Sequence, residues 1–412
     1  MEFLEYSKRV VFVRIWIENS HRVEKIIKSG SLFLFMQVLK ANRTFHVEVK
    51  VNASYDVKMT TDVFASDNKI LIDHITDKKV LFVVDSGIGK VAIAKIKNYI
   101  THHRIEANVM IVESGEKVKN GLACALKVIQ EAEKLGLDRK ELMVLVGGGA
   151  VLDMAGFAAS IIHRGMAHIR IPTTLLSQID GGVGTKNSVN FFGQKNFIGA
   201  FFPAKIVIVD PLFLKTVDDR QIRSGMAEMV KVALIKDCKL FELIEEHYLD
   251  VLNRDDSATS HLREIMWRTI IAHLDQISID PYERNFARPL DYGHEWGHRL
   301  ETFTNYRLLH GEGVSLGIAI DTFISYQRGL ISQADLKRTL QVLENINLPI
   351  YDSVLTLKNI WPGLESFRRH LGGELTISLL KNIGEKNDVH DIKQAEVQAA
   401  IDYLKERVQL IL

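Results

Sequence analysis

The run ELMVLVGGGAVLDMAGFAAS constrains this chain more than any other. An apolar stretch breaks into Gly147, Gly148 and Gly149 and then continues in a helical pattern. A buried strand that turns directly into a helix is half of a β–α unit, and such units build parallel sheets. VLFVVDSGIGK (80–90) and NVMIVESGEKVKN (108–120) repeat the theme of an apolar strand ending in polar and glycine residues, with a helix over roughly 120–136. Polar groups at strand ends place a ligand beyond the C-termini of such a sheet. A glycine turn at that edge lets backbone N–H groups approach a phosphate, helped by the helix N-terminus. The spacing reads GGGxxxD rather than GxGxxG, and a tight structural turn accounts for the glycines equally well. Asp85, Glu113 and Lys117 sit at strand ends, where an acid can accept from ribose hydroxyls and a solvated loop residue is the plainer alternative.

At 412 residues the chain is long enough for two domains. FHVEVKVNASYDVKM alternates apolar and polar residues as a strand does, and SLFLFMQVLK fits a strand or a short amphipathic helix. After Asp210 the segments near 220–250, 256–278, 290–305, 312–345 and 385–410 show helical periodicity. The expected organisation is an N-terminal extension (1–45), an α/β domain with a parallel sheet (46–212) and a mainly helical domain (213–412). Lys plus Arg number 52 against 51 for Asp plus Glu, which excludes a nucleic-acid or membrane-surface partner recruited by bulk charge. No apolar run reaches the roughly 18 residues of a membrane span, and the charged N-terminus makes a poor signal peptide. A cytoplasmic protein is expected. Cys124 and Cys238 form no metal or disulfide pattern and are expected as small buried apolar residues.

Glu228 in SGMAEMVK, His294 in LDYGHEWGH and His310 in LLHGEGV supply one carboxylate and two imidazoles, a set that suits a catalytic Zn²⁺. Each alone fits a hydrogen-bonded structural role; together, each near a glycine and a carboxylate, they favour a metal. A turn near Thr304–Arg307 would bring the two histidines together. His298 follows His294 by one helical turn, and HEWGH formally matches the HExxH of metalloproteases. Gly293 and Gly297 weaken the helix that motif needs, and a protease leaves the glycine-rich half unexplained. Arg164, Lys186, Lys195, Lys231 and the run Arg368–Arg369–His370 form a scattered basic set. Lys231 shares a helix face with Glu228, which suggests a polyanionic or polyhydroxylated substrate. A solvated surface fits the Arg-Arg-His run equally well.

As an ordered set, GGGAVLDMAGF, RIPTTLLSQID, GVGTKNSVNF, GQKNFIGAF, GMAEMVK, DYGHEWGH and LLHGEGVSLGIA resemble the sugar phosphate cyclase superfamily, which includes 3-dehydroquinate synthase, over roughly residues 75–385. The resemblance implies a homodimeric enzyme with an NAD-binding α/β domain, a helical metal domain and a cleft between them. It implies Zn²⁺, or Co²⁺ in its place, on Glu228, His294 and His310. NAD would meet Asp85, Glu113, Lys117, Gly147, Gly148, Gly149, Asp153, Thr173 and Thr174. A sugar phosphate would meet Arg164, Asp180, Lys186, Lys195, Asn196, Lys231, Asp291 and His298, with Arg368 and His370 near the C-terminus. Catalysis would fall to Lys186, Lys231, Asp180, His298 and Asp291.

The departures from the family pattern choose the branch. Dehydroquinate synthases read LNFGHTFGH with an arginine four residues earlier; this chain reads LDYGHEWGH, with Asp291 for the asparagine and Ala287 for the arginine. The helix before this motif lacks their lysine between Glu264 and Pro281, and their Lys-Lys pattern becomes Arg368–Arg369–His370. NFFGQKN is similar to the NFNGHKN of sedoheptulose 7-phosphate cyclases. Fewer cations and one more acid suit a substrate without a carboxylate. The branch implies transient NAD oxidation, β-elimination of phosphate, reduction and aldol closure to a C7 cyclitol, 2-epi-5-epi-valiolone. His298, where that group reads GHTFSP, keeps 2-epi-valiolone as an alternative product. A dehydroquinate synthase and a metal-dependent polyol dehydrogenase are the remaining rivals.

Overall fold

The computed structural model describes residues 54–282, 290–305, 307–370 and 375–411, together with Arg14–Ile15 and Val23–Glu24. The chain forms two units, Met1–Ser54 and Tyr55–Leu412. In the first, β1 (Arg14–Ile15) pairs antiparallel with β2 (Val23–Glu24). The rest of the expected extension, and FHVEVKVNASYDVKM before Ser54, lie outside the described residues.

The second unit opens with the anticipated alternation. β3 (Asp56–Met59) and β4 (Val80–Asp85) are followed by α1 (Gly89–His102), β5 (Ala107–Val112), α2 (Ala123–Lys134), β6 (Leu142–Gly147) and α3 (Gly149–Ile161). β7 (His168–Pro172) leads to a hairpin, β8 (Lys186–Phe191) and β9 (Gln194–Phe201), and β10 (Ile206–Val209) closes the set. Six of these strands form one parallel sheet in the order β3-β10-β7-β6-β4-β5. Every residue of β4, β6, β7 and β10 is buried, because helices and loops cover both faces of a parallel sheet. Parallel strands share one C-terminal edge, so Asp85, Gly147 and the loop after Pro172 meet there.

The later half is helical: α4 (Asp219–Lys236), α5 (Cys238–Leu252), α6 (Leu262–Ile279), α7 (His294–Phe303), α8 (His310–Gln327), α9 (Gln333–Asn345), α10 (Leu357–His370) and α11 (Gln394–Ile411). Asp218 and Asp237 cap α4 and α5 by accepting from the backbone N–H of Gln221 and Leu240. A hairpin absent from the helical pattern, β11 (Ile377–Asn382) and β12 (Glu385–Val389), precedes the last helix. α4 and α8 are buried on nearly every face, and a continuous apolar core surrounds them. Cys238 departs from expectation: it is exposed as the first residue of α5, while Cys124 is half-buried. Among the described residues no helix is long and apolar enough to cross a membrane.

α7 and α8 touch through backbone. A Cβ on Gly317 would lie 2.0 Å from the Gly293 carbonyl oxygen, and one on Gly297 2.8 Å from the Gly313 carbonyl carbon. Gly293 precedes α7 in the left-handed region at φ 76°. The glycines that weaken a lone helix therefore bring two helices into contact, and α7 forms. Gly317→Ala must push α7 off α8 and is expected to cost about 1–3 kcal/mol; a thermal melt within a degree of the parent would refute the contact.

Candidate active site

α4 places Glu228 and Lys231 one turn apart, with Nζ 2.5 Å from Oε2 and both side chains buried. α7 and α8 begin with His294 and His310, whose Nε2 atoms lie 3.4 and 3.2 Å from Glu228 Oε1. His294 Nδ1 faces the Tyr292 carbonyl at 3.3 Å, and His310 Nδ1 faces Glu301 Oε1 at 2.8 Å. Both partners accept, so each ring keeps a proton on Nδ1 and aims Nε2 at Glu228. Neither Glu228 oxygen, fully buried, has a hydrogen bond of good geometry. A buried carboxylate facing two imidazole nitrogens is a donor set that fits Zn²⁺. His298 flanks it, with a ring nitrogen within 4.8 Å of donor atoms on His294 and His310.

The electrostatics follow from this burial. Desolvation alone would raise the Glu228 carboxyl, but Lys231, His294 and His310 outweigh it and hold it well below the usual range. Burial, with Lys231 beside it, pushes His294 down. His310 is also buried, yet its hydrogen bond to Glu301 and the nearby Glu228 carboxylate lift it to about 10. The metalloprotease reading fails here. The Glu295 carboxyl is buried without a hydrogen bond, and burial, with Asp321 beside it, raises it well above the usual carboxylate range, so it stays protonated where a protease needs a base.

A cavity of about 600 Å³ lies over this cluster. Asp153, Asp180, Lys186, Asn196, Lys231, Asp291 and the three histidines line it. Lys195 instead donates to Glu301 Oε2 at 2.9 Å. Arg164 and Arg368 are exposed and do not line the cavity. The His370 side chain lies outside the described residues.

At the sheet edge, Asp85 accepts from Gly87 N at 2.8 Å and Gly148 N at 3.1 Å, which pins the glycine turn. A Cβ on Gly147 would meet Asp85 Cβ at 2.8 Å, whereas Gly149 faces open space. Thr174 closes the far side, its Cγ2 3.2 Å from a Cβ on Gly148, and Thr173 is buried beside it. α3 starts there without a side-chain cap or an acid in its first turn, an arrangement that fits a phosphate group. Glu113 and Lys117 are both exposed.

Four residues that the sequence did not single out complete the site. The short turn Glu116–Lys119 buries Lys119, not Lys117, and its ammonium donates to Asp153 and Asn196, each at 2.6 Å. His273 on α6 donates through Nδ1 to the Thr269 carbonyl at 3.0 Å. Its buried Nε2 makes no hydrogen bond and sits 3.5 Å from Asp180 on the cavity wall. Glu301 backs His310. Arg170, fully buried in β7, donates to the carbonyls of Gly182, Gly184 and Lys186 at 3.3, 3.1 and 2.9 Å and to Asn187 Oδ1. It thus shapes the loop that carries Asp180 and Lys186. A charged residue inside the apolar strand HIRIP was its one signal.

Two outcomes follow. Arg170→Lys cannot reach all these acceptors, so kcat/KM is expected to fall by about 10–100-fold with the fold retained by circular dichroism; unchanged kinetics would remove its positioning role. His310 must release its Nε2 proton to take a metal, so below its pKa of about 10 affinity rises with pH. Co²⁺ titration should show roughly tenfold tighter binding per pH unit between about pH 6 and 8; a flat profile would contradict the geometry.

Comparison with known proteins agrees with this architecture. The family model described as 3-dehydroquinate synthase N-terminal matches residues 108–224, and that described as 3-dehydroquinate synthase C-terminal matches residues 225–364. A 2-epi-5-epi-valiolone synthase from an Actinoplanes species is 34% identical over 87% of this chain and 92% of its own. A 3-dehydroquinate synthase from Prochlorococcus marinus is also 34% identical, over 84% of this chain and 95% of its own. The solved structure of ValA, the 2-epi-5-epi-valiolone synthase of Streptomyces hygroscopicus subsp. jinggangensis, with NAD⁺ and Zn²⁺ bound, superposes with a TM-score of 0.83. It is 30% identical and covers 88% of this chain and 100% of that one. A parallel sheet edge with a glycine turn, a carboxylate–imidazole centre and these matches along both halves place the chain in the 3-dehydroquinate synthase family of sugar phosphate cyclases.

Proposed function

We propose that this chain is a sedoheptulose 7-phosphate cyclase that releases phosphate and forms a C7 cyclitol, 2-epi-5-epi-valiolone. One observation carries the choice within the family. Among the described residues lining the cavity, Asp291, Asp280, Gln276 and His273 are acidic or neutral, and the cations are Lys186 and Lys231. Lys231 is already held against Glu228. A carboxylate on the substrate would face Asp291, whereas a hydroxymethyl group would find acceptors there. The similarity to several 2-epi-5-epi-valiolone synthases supports the same reading.

Glu228, His294 and His310 would hold Zn²⁺, and the turn Gly147–Gly149, with Asp85, Thr173 and Thr174, would receive NAD. When bound, these groups supply hydride exchange and polarisation of the alcohol oxygen. The chain does the rest. Lys186, Lys195 and Asn196 would bind the phosphate and stabilise it as it departs. Asp180, Asp291 and His298 would hold hydroxyls and move protons between them. Lys231, kept charged by Glu228 despite its burial, would donate to a substrate oxygen. His273 Nε2, a lone-pair acceptor in its Nδ1–H tautomer, would orient one more hydroxyl. Homodimeric assembly rests on the family resemblance.

The test is incubation with NAD⁺ and Zn²⁺ or Co²⁺, separately with sedoheptulose 7-phosphate and with 3-deoxy-arabino-heptulosonate 7-phosphate, following released phosphate. Turnover of the first should exceed that of the second by at least about 100-fold in kcat/KM, roughly 2.7 kcal/mol of discrimination. NMR of the product distinguishes 2-epi-5-epi-valiolone from 2-epi-valiolone. Phosphate from the second substrate alone would assign the chain to dehydroquinate synthesis, and net NADH formation to a polyol dehydrogenase.

A further inference from the structure

Glu301 lies in the last turn of α7, two turns beyond His294, and its side chain is 3% exposed. It is a buried carboxylate with two partners from different parts of the chain. Oε1 accepts the Nδ1–H of His310 at 2.8 Å, and Oε2 accepts from Lys195 Nζ at 2.9 Å. Lys195 belongs to β9, next to Asn196, which lines the cavity. Among its neighbours Asn196 accepts from Lys119 at 2.6 Å and from Ser188 at 2.9 Å, so this part of the hairpin is held on both sides. One helix thus presents His294 directly, backs His310 through Glu301, and anchors the hairpin through the same carboxylate.

We propose that Glu301 is a positioning residue that joins the metal centre to the anion-binding hairpin, one oxygen orienting His310 and the other orienting Lys195. The inference rests on the reading of Glu228, His294 and His310 as metal ligands and of Lys195 as a phosphate group's partner. A carboxylate behind a ligating imidazole fixes its tautomer and raises its basicity. The same carboxylate, shared with an ammonium, holds a flexible four-carbon side chain that would otherwise lose entropy on capturing phosphate. Removing one charge therefore disturbs two sites at once, and an amide separates them. A glutamine at this position keeps a carbonyl oxygen for His310 but offers Lys195 an N–H group in place of an acceptor.

The experiment measures two quantities on the full chain: Co²⁺ affinity, from the visible absorption of the bound ion, and KM for sedoheptulose 7-phosphate. Glu301→Ala should weaken Co²⁺ by about 10–100-fold and raise KM by at least about tenfold. Glu301→Gln should restore most of the Co²⁺ affinity and leave KM raised. Lys195→Met should raise KM and leave Co²⁺ affinity within about threefold. In Glu301→Gln/Lys195→Met, KM should be no worse than in the poorer single variant, since both remove one contact. Glu301→Ala with parental Co²⁺ affinity, or Glu301→Gln with parental KM, overturns the proposal. If Glu301→Ala fails to fold by circular dichroism, the Gln and Met variants decide. A parent protein that turns over substrate and takes up Co²⁺ while these variants behave like it leaves the enzymatic reading standing and removes this one. A parent that takes up no Co²⁺ removes both.

Discussion

Glu228 is the constraint on which the rest of the helical half depends. An ionised carboxylate removed from water costs several kcal/mol unless charges or a metal compensate it. Lys231, one turn away on the same helix, supplies a cation, and two other helices bring His294 and His310 to the opposite side. Each of those imidazoles is in turn held from behind, one by a backbone carbonyl and one by Glu301. The buried charges are meaningful as a set. Any of them alone would destabilise the core that surrounds it.

The sheet half meets the same problem with a different solution. Arg170 is as deeply buried as Glu228, and its hydrogen-bond acceptors are loop carbonyls and an asparagine side chain. Gly156 on α3 makes room for this arrangement, because a Cβ there would fall 1.8 Å from Asn187 Oδ1. At the strand edge Asp85 is committed to two backbone N–H groups, which fix the shape of the glycine turn. The cavity lies where these two internally braced halves of the unit meet, with Asp180 and Lys186 from one side and Lys231 and the histidines from the other.

Much of this was legible in the sequence because it is periodic or punctuated. Apolar runs that end in glycine or acid mark strands of a parallel sheet, and the helices after Asp210 follow their hydrophobic spacing. Glu228, His294 and His310 stood out because each polar residue sits beside glycine within an apolar segment. Other features depend on geometry that spacing does not carry. Whether Lys117 or Lys119 turns inward depends on the phase of one short turn. His273 faces the cavity only through the packing of its helix, and the acceptors of Arg170 lie in a loop and hairpin more than ten residues away. Glycines 293 and 297 pointed the wrong way: their cost to a single helix is legible, while their benefit to a helix pair needs the partner. The hairpin β11–β12 was hidden between helical segments, and Cys238 is surface-exposed because it begins a helix just after its cap.

The contact between α7 and α8 has a consequence for how such a site can diversify. Where two helices meet backbone to backbone, their separation is set by main-chain atoms, and a side chain added at the contact glycines can only force the helices apart. His294 and His310 start those two helices, so the span between their Nε2 atoms is a property of the scaffold. The remaining lining, with Asp291, His273, Gln276 and the hairpin, is made of side chains and loops. The fold therefore separates a fixed gauge for the ion from a replaceable mould for the sugar, and a new substrate can be fitted by recasting the mould alone.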